Sequence, residues 1–110
     1  MINETLSNIE SAIAKVQAGN SAEKAELVAL LNKLKLELST LPASKLDDIR
    51  SVGYFTEAAA HEVTRENASV QLKNLSISGI SYAVKGLEVS HPELVSVVNE
   101  ICMILARMGI

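Results

Sequence analysis

Leu75-Ser76-Ile77-Ser78-Gly79-Ile80-Ser81-Tyr82-Ala83-Val84 alternates apolar and small polar residues around a central glycine. By period alone this stretch reads as a strand pair with a tight bend. By register it reads as a helix, because Ile77, Ile80, Val84 and Leu87 continue a spacing that begins far upstream. Ile49, Thr56, Val63, Val70, Ile77 and Val84 stand seven apart, with companions at Val52, Ala59, Glu66, Lys73, Ile80 and Leu87. Such a repeat belongs to helices packed along a seam. The helical reading is preferred, and it makes the whole chain all-α, with coiled-coil-like bundle packing.

Two of the companions, Glu66 and Lys73, are charged and fall together in the middle. Either a single helix of roughly 60 Å runs through this wet waist, or the chain breaks near Asn67-Ala68-Ser69, where Asn67 and Ser69 can cap a new helix. The residues lean towards a break or kink. Beside the apolar register runs a line of small residues, Ser76, Gly79, Ala83 and Gly86. Glycine within a helix costs about 1 kcal/mol relative to alanine. Two such costs on one line predict that another backbone comes close there.

Outward from this segment the other helices follow. Downstream, Ser90 with Glu93 has capping-box spacing, Pro92 fits a first turn, and Leu94, Val97, Val98, Ile101, Ile104, Leu105 and Met108 make one broad face. Gly109 suits a left-handed stop. The spacing predicts a helix over 91–108 within a C-terminal unit at 90–110. Upstream, Leu6, Ile9, Ile13 and Val16 predict a helix over 4–18. Asn20 with Glu23 predicts a cap for a second helix reaching Thr40, whose leucines at 27, 31, 34, 38 and 41 again alternate by four and three. Residues 1–41 therefore read as an antiparallel helical hairpin. Ser44 with Asp47 opens the long or broken helix at 43–89. Helical content above roughly 60% is expected, against ~30–35% for ordinary globular domains.

His91-Pro92-Glu93-Leu94, then Asn99, then Leu105-Ala106-Arg107-Met108-Gly109-Ile110 resembles the C-terminal signature of a family of short bacterial helical proteins known only as a domain of unknown function. That family carries an HP-x-L segment leading to L-x-x-MG-I. Its aromatic–acidic pair before the histidine is replaced here by Gly86-Leu87-Glu88-Val89. The resemblance implies a small helical protein of bacterial origin and no activity.

One hundred and ten residues make a single domain, and 48% hydrophobic residues can supply a core. Aromatics are only 3%, so that core is aliphatic. A net charge of −3, with acids and bases interspersed, builds no field for nucleic acid. Cys102 is the only cysteine, which excludes an intramolecular disulfide. The start lacks a basic and apolar leader, and no apolar run spans a membrane, so a cytoplasmic location is expected.

His61-Glu62-Val63-Thr64-Arg65 has arginine where the zinc-protease motif needs its second histidine. Glu57, His61 and Arg65 share a helix face as a solvated charge row. Glu88 and His91 have the Glu-x-x-His spacing of di-iron bundles, which need two such pairs. No metal, cofactor or catalytic set is expected. The expected function is a non-enzymatic interaction module that self-associates as a homodimer through its C-terminal half, with Ile77, Ile80, Val84, Leu87, Gly79 and Gly86 at the contact. The alternative is an adaptor or chaperone-like protein that offers a helical groove to a client.

Overall fold

In the computed structural model the register breaks where the caps lie. Residues 2–17, 21–87 and 91–108 are described. They hold five α-helices: α1 (Ile2–Gln17), α2 (Ala22–Ser39), α3 (Leu46–Thr64), α4 (Val70–Val84) and α5 (Pro92–Arg107). Short 3₁₀ turns precede α3 at Ala43–Lys45 and follow α4 at Lys85–Leu87. Helix makes up 89% of the described residues, and none forms a strand. The alternating stretch from Leu75 to Val84 is wholly inside α4.

The turn between α3 and α4 is built by side chains. Arg65 leaves helical geometry at φ −80°, ψ 158°. Ser69 is the N-cap of α4, and its hydroxyl accepts the Leu72 N–H at 3.1 Å. The buried Glu62 carboxylate accepts the Ser69 N–H at 3.1 Å. Arg65 Nε lies 2.8 Å from the same carboxylate, close enough for attraction though not aligned as a hydrogen bond. An acid at the positive end of α4 also complements the helix dipole. Asn67 is exposed and does not cap.

Other caps differ from expectation. Ser21, one residue beyond Asn20, caps α2 by accepting the Lys24 N–H at 3.2 Å. Asn20 and Gly19 lie outside the described residues, as do Ser90 and Gly109. The Ser44–Asp47 box is not formed: residues 43–45 wind into a 3₁₀ turn, and α3 starts from Lys45 without a side-chain cap. Asp47 and Asp48 then serve the dipole from the first turn. Pro92 lies in the first turn of α5 as expected, but it opens the helix, and His91, expected inside it, stands at the N-cap.

Each helix has two principal neighbours, and the contacts close into a ring: α1 on α2, α2 on α5, α5 on α4, α4 on α3, and α3 back on α1. The interior is aliphatic. Ile9, Leu27, Leu31, Leu34, Leu38, Ile49, Ile80, Leu87, Leu94, Ile101 and Leu105 are each at most 1% exposed. Burying one such side chain contributes roughly 1.5–3 kcal/mol. The heptad register is thus used by short helices around a shared core, not by one long coiled coil. The radius of gyration, 12.8 Å, equals the ~13 Å expected of a compact chain this long.

Two glycines let helices approach closely. A Cβ on Gly53 would sit 2.7 Å from Thr5 Cγ2, so α1 and α3 meet there. A Cβ on Gly79 would fall 2.4 Å from the Phe55 ring, which therefore lies directly on the α4 backbone. The small-residue line has a close neighbour on α3 of the same chain, but it is the Phe55 and Asp48 side chains that approach Gly79 and Gly86, not the second backbone expected there. The hydroxyls of Thr5 and Thr56 are buried without a hydrogen-bond partner.

Candidate interaction surface

The stripe expected at a dimer contact is mostly spent on this core. Ile80, Val84 and Leu87 are 1%, 2% and 0% exposed. Ile77 is half-buried against the core, Gly79 lies under Phe55, and Gly86 is exposed beside the Asp48 carboxylate. A partner could reach the first three only by opening the bundle. The expectation of a contact through this stripe needed a long straight middle helix with an uncovered side. The turn at 65–69 removes that condition, since α3 folds back to cover the line α4 would have left open.

What α4 does leave open is its outer face. α3 and α4 are antiparallel: Asp48 lies opposite Gly86, Phe55 opposite Gly79, and Glu62 opposite Ser69. The three α3 residues are seven apart, so one edge of α3 tracks the whole of α4. α5 covers the other flank of α4, where Lys73 reaches the end of α5 and Ser81 approaches Cys102 Sγ at 3.9 Å. Between these flanks Leu72, Leu75 and Tyr82 point to solvent at 46%, 65% and 72% exposure, with Phe55 beside them at 40%. Ser51, Ala58, Gln71 and Ser78 fill the gaps.

Along α4 itself this face carries no free charge, and the charge at its edge is Lys85, just beyond the helix. Between Glu66 and Lys85 the only charged residue is Lys73, and it is 4% exposed. Its stem passes into the core and its ammonium donates to Ala106 O at 3.2 Å and Met108 O at 3.4 Å. Those carbonyls are among the orphan acceptors at the end of α5. The charged companion that looked like a wet waist is therefore a helix cap. Lys85, at the far end, stacks its ammonium over the Tyr82 ring at 4.4 Å.

The remaining titratable groups are scattered. Among the described residues no three His, Cys, Asp or Glu side chains gather to hold a metal ion. Glu57 is half-buried and His61 exposed on α3, His91 precedes α5, and Glu88 lies outside the described residues. Burial pushes the Cys102 thiol above its ordinary value, with a weaker opposing effect from Ser81. Tyr54 Oη donates to Glu4 Oε1 at 2.6 Å and holds that exposed carboxyl below its ordinary value, with Arg50 nearby. A shallow groove of about 290 Å³ between α2 and α5 is lined by Lys33, Glu37, Glu93, Ser96, Val97 and Glu100. No described helix is long and apolar enough to cross a membrane.

Compared with known proteins, the chain matches no family model, no curated protein and no solved structure. Sequence reasoning missed the outer face because it assigned α4's apolar residues to one seven-residue register. Leu72, Leu75 and Tyr82 lie off that register, and their spacing of three and seven was the available signal.

Proposed function

We propose that the chain is a non-enzymatic interaction module, acting in the cytoplasm, that docks a protein partner on the exposed apolar face of α3 and α4. One observation carries this reading: Phe55, Leu72, Leu75 and Tyr82 stay exposed on one side of the α3–α4 pair, with Lys85 over the Tyr82 ring as the charge at its edge. Interface cores are depleted in charge and enriched in aromatic residues. The patch exposes roughly 400 Å² of side chain, a size that on monomeric surfaces often marks a contact site. Leu36 and Met103, also exposed, stand singly on the outer sides of α2 and α5 among polar residues. The adaptor reading, with a helical client in a groove, is less well supported. The α2–α5 groove presents Glu37, Glu93 and Glu100, where an amphipathic client needs an apolar floor. The bacterial origin implied by the C-terminal residues fits such a module and adds no detail to it.

Comparative affinity capture tests this. Proteins retained by the parent chain should be lost by a Leu75→Glu/Tyr82→Glu variant and kept by Leu36→Glu, with the helical spectrum unchanged in both. Identical retention by all three would refute the reading.

A further inference from the structure

We infer that the α3–α4 turn is a hinge, through which the chain straightens these two helices into one and exchanges α4 and α5 with a second copy. This goes beyond the docking reading and does not involve the exposed apolar face, which stays uncovered in both states. The sequence of the turn is the first argument. Residues 65–69 read Arg-Glu-Asn-Ala-Ser, with neither glycine nor proline, so each can enter a helix. Every other link carries a residue that stops one: Gly19 between α1 and α2, Pro42 between α2 and α3, and Gly86 between α4 and α5. The buried positions also keep one phase across the turn. Ile49, Val52 and Ala59 on α3 and Lys73, Ile80 and Val84 on α4 all fall in a single seven-residue register, as a continuous supercoiled helix requires.

Hydrogen bonding is the second argument. In the closed turn two backbone donors depend on side chains. The Ser69 N–H donates to the Glu62 carboxylate at 3.1 Å, and the Leu72 N–H to the Ser69 hydroxyl at 3.1 Å. Winding the turn into helix passes each donor to the carbonyl four residues back, on Arg65 and Ala68, so neither is orphaned. Glu62, 5% exposed, is then left with Arg65 alone. The buried carboxylate gains its backbone donor only when the turn is closed, which makes it the latch.

Register is the third. Asp48 opposite Gly86 and Phe55 opposite Gly79 are both centred on Asn67. A two-fold axis at Asn67 therefore lays the straightened helices of two copies antiparallel with the same α3–α4 contacts, now made between copies. α5 travels with α4 and packs on α2 of the other copy as it does on its own. Only the waist is new. There Val70, 43% exposed in the closed chain, comes level with Thr64 of the other copy, beside Val63. Glu66 lies on the seam one residue from the axis, so exchange brings Glu66 against Glu66. Like charges on a seam disfavour that state, and together with the Glu62 latch they keep the monomer closed.

Spin labels on the full chain test this. With Cys102→Ser as background, labels are placed at Asp47→Cys and Lys85→Cys. The labelled chain is refolded at about 500 µM with an excess of unlabelled chain, a concentration that favours weak association, and size exclusion separates monomer from dimer. In the closed chain the labels lie on neighbouring helices, less than about 20 Å apart. In the straightened helix they stand about 57 Å apart. The monomer should give the short distance and a minor dimer the long one. Glu66→Leu, which replaces the repulsion at the seam with an apolar contact, should raise the dimer-to-monomer ratio roughly tenfold or more. Asn67→Gly/Ala68→Gly in that background should lower it again, and Leu75→Glu should leave it unchanged. A parent chain that yields no dimer, a ratio unmoved by Glu66→Leu or by the glycines, or a dimer with only the short distance overturns the hinge. A dimer lost in Leu75→Glu overturns it too, since such a dimer rests on the outer face. The docking reading is decided separately by affinity capture and survives each of these results.

Discussion

Replacing Lys73 with methionine removes the ammonium but keeps a straight apolar stem of similar reach. The native side chain is 4% exposed. Its two bonds, 3.2 Å to Ala106 O and 3.4 Å to Met108 O, join α4 to the end of α5. A hydrogen bond to a charged group contributes about 1.5–3 kcal/mol. A cation at a helix C-terminus adds up to ~2 kcal/mol when partly buried. Against these stands the cost of desolvating the ammonium, several kcal/mol. The long bonds put each favourable contribution near the low end of its range. These terms nearly cancel, and the remainder is the cost of leaving the two carbonyls without their donor, about 1–3 kcal/mol; the expected net loss in Lys73→Met is about 1–2 kcal/mol, and at 4–8 °C per kcal/mol this lowers Tm by roughly 4–16 °C. Lys73→Ala also removes the buried stem and should lose more. Thermal melts followed by circular dichroism give the magnitude. Amide exchange locates it, with the last turn of α5 opening more readily than the first. A Lys73→Met chain as stable as the parent, or more stable, would refute the capping account, since burial of the charge would then outweigh what it bonds.

Gly79→Ala gains about 1 kcal/mol of helix propensity but sets a methyl 2.4 Å from the Phe55 ring. Overpacking of about 1–3 kcal/mol wins, and the lowered melting temperature should recover in Gly79→Ala/Phe55→Ala relative to Phe55→Ala alone. The Glu4 carboxyl, held low by the Tyr54 hydroxyl, contributes stability that is complete above the ordinary carboxylate pKa and is lost as pH falls through its lowered value. Tyr54→Phe should therefore melt below the parent near about pH 6 and converge with it in strong acid; a gap independent of pH would contradict this. The Cys102 thiol, raised by burial, should react with iodoacetamide more slowly than a free cysteine at neutral pH and approach it on unfolding. Equal rates in the folded and unfolded chain would contradict that assignment.

The fold was legible where a local signal and a global pattern agreed. Pro92, the leucines of α2 and the sevenfold register from Ile49 to Val84 placed the helices correctly. Ser69 marked the start of α4. The N-caps of α2 and α3 were less readable, because neighbouring residues compete for the same role: Ser21 stands beside Asn20, and Ser44 was taken into a 3₁₀ turn. The surface was harder. Hydrophobic period reports that a helix has an apolar face, not which neighbour covers it. Ile80 and Val84 looked available only while α3 and α4 could be one helix. Lys73 looked exposed because lysine usually is, and nothing in its own sequence neighbourhood names carbonyls more than thirty residues away. The patch that remains was hidden for the same reason, since only the packing of α3 and α5 shows which side of α4 stays uncovered.

The closed ring has a consequence for synthesis. The α1–α2 hairpin is made first, yet one of its two covering neighbours, α5, is the last helix of the circuit. At about 5–20 residues per second, translation from the end of α2 to the end of α5 takes on the order of 3–14 s. For that interval Leu27, Leu30, Leu31, Leu34 and Leu38 have α1 beside them but lack the α5 side of their cover. A nascent chain stalled between α2 and α5 presents the α5 side of this leucine face to whatever binds exposed helices at the ribosome exit, and one extended through α5 covers it.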